Sequence, residues 1–326
     1  MASSKKYWVG FDLGGTKLMA GVFDSKLRLL HAERAKMRGV KGAKAGIARM
    51  VELIRQVMAD AGVRSPRELR GIGLGVPGPL DLNRGVILDA PNLGWKNVNL
   101  KKAMHEAFGC PAVVANDVDA GTYGEYRFGS GRGARCVLGV FPGTGIGGAC
   151  IYEGKLLRGR VGSCMEIGHV QVQPNGRLCG CGRRGCLETV ASRLAITSEA
   201  ATASYRGQAP HLRELAGTDM AAMRSRALRE AIEEGDDCIA KILEEAARQL
   251  GGAIASVVNL LAPDVVVLGG GLVEAMPKLF LKGVREAIAR ESMGAISQHV
   301  TVAAARLGDN ATIMGAAALA AEEAGR

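Results

Sequence analysis

Aromatic residues are scarce in this chain: phenylalanine, tyrosine and tryptophan make up only 4% of its 326 residues. Proteins that hold single-stranded nucleic acid usually stack the bases on exposed aromatic rings. The composition therefore argues against a nucleic-acid partner of that kind. The net charge of +10, from 42 basic and 32 acidic residues, permits a polyanionic partner, but a nucleotide or a phosphorylated substrate satisfies it as well as DNA does.

Long apolar runs are also missing. The most apolar window, residues 253–272, is interrupted by Asn259, Pro263 and Asp264, so it predicts a helix followed by a strand rather than a membrane span. Near the N-terminus, Asp12 breaks a short apolar run, and no cleavage pattern of a secretion signal follows. We expect a protein with no membrane contact.

Cysteines outside one dense cluster show no pairing pattern. They are Cys110, Cys136, Cys150, Cys164 and Cys238. Isolated thiols of this kind suit the reducing cytoplasm, where we expect the protein to work.

The Walker pattern G-x4-GK[ST] is absent, but another glycine-rich connection is present. Residues 7–23 read as two strands joined by Gly14, Gly15, Thr16 and Lys17. Such a loop brings backbone N–H groups and a hydroxyl close to phosphate oxygens. A plain glycine hairpin explains the same pattern, so this loop alone leaves both interpretations open.

The same plan recurs over residues 136–156, where two strands flank Gly143, Thr144 and Gly145. Phe11 and Phe141 take equivalent places in the two segments. A repeat of this length predicts paired domains rather than a solenoid, and a chain of 326 residues has room for two. We expect a duplicated fold whose two glycine loops face across a cleft.

A third glycine run follows the helix predicted over residues 239–261 and the strand predicted over 265–268. Gly269, Gly270 and Gly271 lead from that strand into another helix. The free amides of a helix start suit a nucleotide. A tight strand-to-helix turn is the alternative.

Asp117 follows a predicted strand over residues 112–115 and begins a predicted helix over 118–128. The positive end of the helix favours an ionised carboxylate there. An aspartate in this place is more often a helix cap than a functional group, and the local pattern does not separate the two.

Three cysteines fall within eight positions, as Cys179, Cys181 and Cys186, and His169 lies ten residues upstream. Three sulfurs and one nitrogen make the closed tetrahedral set of structural zinc. A disulfide, which leaves one thiol unpaired, and free thiols are the less favoured alternatives. Glu166 and Glu188 flank the cluster and suit a hydroxyl-rich ligand, although each alone reads equally as a surface charge.

Taken together, these motifs resemble the ROK family of repressors and sugar kinases. The resemblance covers nearly the whole chain and rests on four segments: residues 12–17 (DLGGTK), 143–148 (GTGIGG), 166–169 (EIGH) and 179–188 (CGCGRRGCLE). It implies an α/β, duplicated actin-like and hexokinase-like (ribonuclease H-like) ATPase fold with two domains around a central cleft. We expect a small domain over residues 1–117, with the helix over 310–326 packing back on it, and a large domain with the zinc loop over 118–309.

The resemblance also implies roles for individual residues. Asp117 would be the general base for a sugar hydroxyl. The implied sugar-binding residues are Asn92, Asn116, Asp117, Glu166, His169 and Glu188. The implied ATP-binding residues are Asp12, which would hold Mg²⁺ through water, with Gly14, Gly15, Thr16, Lys17, Gly143, Thr144, Gly145, Gly269, Gly270 and Gly271. The implied structural Zn²⁺ ligands are His169, Cys179, Cys181 and Cys186.

The function expected from the resemblance is ATP-dependent phosphorylation of a hexose, glucose first, at its 6-hydroxyl by a homodimer or homotetramer. The alternatives are an N-acetylmannosamine or N-acetylglucosamine kinase, a polyphosphate-dependent kinase, and a non-catalytic sugar sensor. A repressor is disfavoured because only eleven residues precede Asp12, too few for a helix-turn-helix. Two positions depart from the family pattern: Met165 and Ala149 stand where glycine is expected.

Overall fold

A computed structural model describes residues 5–37, 42–160, 162 and 164–325. The chain divides into two compact units. The first contains Met1–Gly133, Lys155–Cys164 and Asp309–Arg326, and the second contains Ala134–Gly154 and Met165–Gly308. Across the described residues, no helix has the length and apolar character needed to cross a bilayer.

The chain contains both strands and helices. The strands of the described residues are β1 (Tyr7–Leu13), β2 (Lys17–Phe23), β3 (Leu29–Lys36), β4 (Leu69–Val76), β5 (Leu80–Asp81), β6 (Val86–Ala90), β7 (Trp95–Asn99), β8 (Ala112–Asn116), β9 (Cys136–Pro142), β10 (Ile146–Tyr152), β11 (Lys155–Leu156), β12 (Val265–Leu268) and β13 (Thr301–Ala304). The α-helices are α1 (Gly42–Asp60), α2 (Leu100–Phe108), α3 (Asp117–Phe128), α4 (Glu188–Ala191), α5 (Arg193–Tyr205), α6 (Pro210–Ala216), α7 (Ser225–Glu233), α8 (Asp237–Leu261), α9 (Gly271–Ala275), α10 (Pro277–Glu291), α11 (Gly294–Ser297) and α12 (Ala311–Ala324).

The first unit is built on a sheet with strand order β3-β2-β1-β4-β8, in which β1 is antiparallel to β2 and parallel to β4. Successive side chains of a strand point to opposite faces. Phe11 accordingly packs into the core on the α1 side, whereas Trp8 packs with Ile313 of α12. Both faces of the sheet are therefore covered, which explains why β1 reads as a nearly continuous apolar run.

The first unit extends beyond the predicted boundary at residue 117 because α3 packs against α12. A Cβ at Gly315 would lie 1.7 Å from the carbonyl oxygen of Ala120, so only glycine allows the two helices to approach this closely. This contact holds α3 with the C-terminal helix, and the unit continues to Gly133. Residues 118–133 thus lie in the first unit and not in the second.

The second unit contains four neighbouring strands of one sheet, in the order β10-β9-β12-β13. Its largest core cluster joins Leu138 of β9, Leu250 and Ile254 of α8, and Phe280 of α10. The long apolar stripe predicted over residues 239–261 is the buried face of α8, and Pro263 follows just after this helix ends.

The two sheets repeat one topology: in each, a hairpin is followed by parallel strands on the same side. The duplication predicted from the glycine loops is confirmed at this level. One detail of the prediction is wrong. The bounds of β1 and β9 match Phe11 with Val140, both buried, and match Phe141 with Asp12, both half-buried. Aligning the two phenylalanines shifts the repeat by one residue. The half-buried position is occupied by Phe141 in β9 and by Asp12 in β1.

Candidate active site

Acidic and amide side chains collect at one edge of the first sheet. Strands β1, β4 and β8 are parallel neighbours, with Asp12 opposite Gly75 and Asn116 opposite Val76. Because the carboxyl ends of parallel strands meet at the same sheet edge, Asp12, Asn116 and Asp117 lie together there. Open α/β sheets bind their ligands at this edge.

Asn116, not Asp117, caps helix α3. The side-chain oxygen of Asn116 accepts hydrogen bonds from the N–H groups of Val118 at 2.9 Å and Asp119 at 3.2 Å. Asp117 uses one carboxylate oxygen, Oδ1, for the N–H of Val118 at 2.9 Å. The capping role that local pattern left open for Asp117 is therefore filled by its neighbour.

Ionisation of the carboxyl groups at this edge is disfavoured. Burial raises the pKa of Asp117 above its ordinary value. Burial, followed by the negative charges of Asp117 and Asp309, raises the pKa of Asp12 from 3.8 to about 7. Asp309 is paired with Arg34, whereas no cation contributes to the shift of Asp12. The site fits a bound Mg²⁺, which prefers carboxylate and water oxygens and would relieve this repulsion.

The first glycine loop lies beside these carboxylates in the chain, directly after β1. Thr16 and Lys17 are exposed, so their hydroxyl and ammonium groups are accessible to a ligand. Gly15 faces Asn92, since a Cβ at Gly15 would lie 3.5 Å from that of Asn92. The structure thus brings the predicted sugar residue Asn92 next to the predicted phosphate loop of the same unit.

The second glycine loop, residues 143–145, is fixed by Glu188. Oε2 of Glu188 accepts a hydrogen bond from the N–H of Ile146 at 3.0 Å. A Cβ at Gly145 would lie 2.3 Å from the same oxygen, so a larger residue at that position would displace the Glu188 carboxylate. The other oxygen, Oε1, lies 3.7 Å from Sγ of Cys179. Glu188 therefore connects the loop to the cysteine cluster, a contact that the sequence did not predict.

The four predicted zinc ligands come together in the second unit. His169 Nδ1 lies 3.6 Å from Cys179 Sγ, and Cys181 Sγ lies 3.7 Å from Cys186 Sγ. All four donor atoms lie within 4.8 Å of one another. Tetrahedral bonds of about 2.3 Å to sulfur and 2.0–2.1 Å to nitrogen place such ligands about 3.5–3.8 Å apart. The residues fit zinc, and the distances are too long for the disulfide alternative, whose S–S bond is about 2.05 Å.

Glu166 and His169 open onto one cavity of about 640 Å³. The lining residues are Glu166, His169, Val170, Gln171, Arg183, Arg184 and Cys186. Because Nδ1 of His169 points at the cysteines, the other ring nitrogen remains for a ligand in this cavity. Five of these seven lining residues have polar or charged side chains, which can form hydrogen bonds with a hydroxyl-rich ligand.

Met165 precedes Glu166 and occupies a left-handed backbone conformation, with φ of 58°. This conformation favours glycine, the residue expected there from the family pattern. The side chain of Met165 packs against the core of the second unit and is not among the residues that line the described cavity. The departure from glycine therefore affects the backbone before Glu166 more directly than it affects the cavity.

The third glycine run meets the end of β9. A Cβ at Gly269 would lie 2.5 Å from the ring of Phe141, and one at Gly270 would lie 2.7 Å from the carbonyl oxygen of Pro142. Close packing thus accounts for Gly269 and Gly270 as the alternative interpretation proposed. At Gly271, which begins α9, the nearest atom is Ser225 Oγ at 3.7 Å, so this position is more open.

Arg193 is a site residue that the sequence did not indicate. Its backbone N–H donates to the carbonyl oxygen of Gly143 at 2.9 Å, and its Nη2 donates to Oγ1 of Thr144 at 2.8 Å. The two positions are far apart in sequence, and no local pattern connects a helix-starting arginine with this loop.

Known proteins place the chain in a family. The ROK family model matches residues 8–323. The chain belongs to the ROK family. The α/β fold of actin-like and hexokinase-like type expected from the motifs is confirmed, since the structure of a ROK hexokinase from Thermus thermophilus is 35% identical, with a TM-score of 0.81, over 97% of this chain and 98% of that one.

Other ROK relatives are glucokinases. A ROK family glucokinase from Streptomyces griseus, solved in complex with glucose and AMPPNP, is 34% identical with a TM-score of 0.80, and the match covers 97% of this chain and 99% of that one. Glucokinase from Streptomyces coelicolor is 34% identical over 96% of this chain and 97% of its own length.

The ROK family also contains repressors. The xylose repressor of Caldicellulosiruptor bescii is 28% identical over 95% of this chain, and the match covers 77% of that protein. Family membership therefore supports a sugar-related function. Whether the protein catalyses a reaction on the sugar or only binds it depends on the residues of the site.

Proposed function

We propose that this ROK protein is an ATP-dependent hexose kinase that phosphorylates glucose at its 6-hydroxyl. The observation that carries the proposal is Asp117. It follows a strand end, its neighbour Asn116 caps the helix, and burial raises the pKa of its carboxylate, which favours uptake of a proton.

In the proposed reaction, the 6-oxygen of the sugar forms a bond to the terminal phosphorus of ATP. The bond from that phosphorus to the bridging oxygen breaks, its electron pair leaves with ADP, and Asp117 accepts the hydroxyl proton. Phosphoryl transfer depends mainly on alignment and on charge neutralisation, so a single well-placed carboxylate is a sufficient base.

The glycine loops supply the donor site in this proposal. Gly14, Gly15, Thr16 and Lys17 contribute amides, a hydroxyl and a charge, and Gly143, Thr144 and Gly145 contribute amides and a second hydroxyl. Asp12 would hold Mg²⁺, in our expectation through water, and the ion would neutralise phosphate charge. Gly269, Gly270 and Gly271 contact the adenosine, with Gly271 the most accessible of the three.

The remaining sugar hydroxyls are bound by Asn92, Glu166, His169 and Glu188. His169, Cys179, Cys181 and Cys186 would hold Zn²⁺, which would make this loop rigid, and the other ring nitrogen of His169 would bond the sugar. Glu188 keeps unused lone pairs on each oxygen, so it is able to brace the loop and accept from a hydroxyl at once. We further propose that the protein works in the cytoplasm as a homodimer or homotetramer. Light scattering on a sizing column would test the oligomeric state.

The test is ADP release with glucose, mannose, fructose, N-acetylglucosamine and N-acetylmannosamine, with ATP or polyphosphate as donor. Asp117→Asn is expected to keep sugar binding and to lower turnover by about 10²–10⁴-fold. Glu106→Gln, which removes an exposed carboxylate of α2, is the matched control. Near-normal turnover of Asp117→Asn would exclude Asp117 as the base. Hexose binding without product under every condition would favour a sugar sensor.

A further inference from the structure

Arg193 places a positively charged side chain on the second glycine loop. It is the first residue of α5, and its guanidinium is held against the second glycine loop by the hydrogen bond to Thr144 at 2.8 Å. No carboxylate within the described part of the chain forms an ion pair with it, in contrast to Arg177, which pairs with Glu199 at 2.9 Å. Half-buried, it remains accessible to a ligand.

Its place on the helix also favours an anion. The N-terminal end of a helix carries partial positive charge and is stabilised by anions rather than by cations. The first turn of α5 contains no acidic residue, and the N-cap is the neutral Ser192, whose Oγ accepts from the N–H of Ala195 at 3.2 Å. An arginine here is therefore unfavourable for the free protein and favourable once an anion is bound.

The contact with Thr144 also has a chemical consequence. A threonine hydroxyl has one proton to donate and lone pairs to accept. Because Arg193 donates to Oγ1, the hydroxyl proton is left to point elsewhere, and an anion at the loop is the natural acceptor. Arg193 thus supplies charge and at the same time orients a second donor.

We propose that Arg193 binds the terminal phosphates of the phosphoryl donor. The inference rests on the proposed kinase function and extends its donor site by one residue. As the bond to the leaving diphosphate breaks, negative charge grows on the bridging oxygen, and a guanidinium already fixed at the loop stabilises that charge without rearranging.

The experiment compares Arg193→Ala and Arg193→Lys with the wild-type protein. Arg206→Ala, at the other end of α5, removes the same charge from an exposed position and is the control. We expect kcat/KM for ATP to fall about 100-fold in Arg193→Ala, as for other lost transition-state donors, while sugar affinity is unchanged. Arg193→Lys is expected to regain part of the loss, and free guanidinium ion at a non-denaturing concentration to restore part of the activity of Arg193→Ala.

Three results would overturn the inference: an unchanged kcat/KM for ATP in Arg193→Ala, the same loss in Arg206→Ala, or a loss that comes with lower sugar affinity and is not restored by guanidinium. The last would mean that Arg193 only supports the loop. Calorimetric binding of ATP separates this inference from the kinase function itself. If the wild type is inactive with every sugar but Arg193→Ala binds ATP more weakly, the kinase proposal fails and the phosphate contact stands.

Discussion

Replacing Asp12 with asparagine should make the protein more stable and inactive. The folded-state pKa of Asp12 is about 7 and its ordinary value is 3.8, because burial and the charges of Asp117 and Asp309 disfavour ionisation. A carboxyl with a raised folded pKa contributes stability below about pH 4, and this contribution is lost as the pH rises through about 7. Asp12→Asn has no proton to lose, so it escapes the penalty.

The size of the effect follows from the two pKa values. At 1.36 kcal/mol per pH unit, a rise from 3.8 to about 7 corresponds to about 4 kcal/mol at most. The variant and the wild type should therefore have nearly equal stability at pH 4, and the difference should grow until about pH 7 and then level off. For a unit of this size, each kcal/mol shifts Tm by about 2–4 °C.

Tryptophan fluorescence gives a direct assay, because both tryptophans, Trp8 and Trp95, are buried in the first unit. Unfolding is followed from pH 4 to pH 9 without Mg²⁺ or nucleotide, with Glu106→Gln as the control for losing an exposed carboxylate of the same unit. A stability difference that stays constant with pH, or a wild type more stable than Asp12→Asn at pH 8, would refute the reasoning. Adding Mg²⁺ with ATP should stabilise only the wild type.

Two further predictions concern the second unit. Cys181→Ser should lose bound zinc and raise the KM for the sugar, because the loop that presents His169 loses a ligand; Cys238→Ser, outside the cluster, should do neither. Unchanged zinc content and sugar KM in Cys181→Ser would contradict the assigned role. Met165→Gly should leave the ratio of kcat/KM for glucose and mannose unchanged, because the side chain packs on the core, and should change stability by no more than about 1 kcal/mol, since relief of the left-handed backbone offsets lost packing. A reversed sugar preference would show that Met165 shapes the pocket after all.

Local pattern predicted most of the elements that carry the site. Strand β12 was expected over residues 265–268 and is found there, and the apolar stripe that ends before Pro263 is α8. Alternation and helical periodicity depend on neighbours in sequence, so they can be read without the fold. The cysteine cluster could also be recognised without the fold. Its three cysteines lie within a short segment, and His169 lies only ten residues before the first of them.

Features that depend on distant segments were not predictable in the same way. The first unit keeps α3 because Gly315, far along the chain, lets α12 approach Ala120. The pKa of Asp12 rises only when folding buries it near Asp117 and Asp309. A backbone contact of this kind produces no periodic pattern in the sequence. The same is true of the electrostatic potential of three carboxylates.

The sequence by itself determined the duplicated hairpins, the cluster of cysteines with a nearby histidine, and the carboxylate at a helix start. Tertiary structure alone decided that Asn116 takes the cap of α3, that Glu188 links the loop of residues 143–145 to the cysteines, and that Arg193 rests on Thr144. The physical reason is the range of the interactions: patterns record contacts between near neighbours, whereas burial, charge and hydrogen-bond partners depend on segments that only folding brings together.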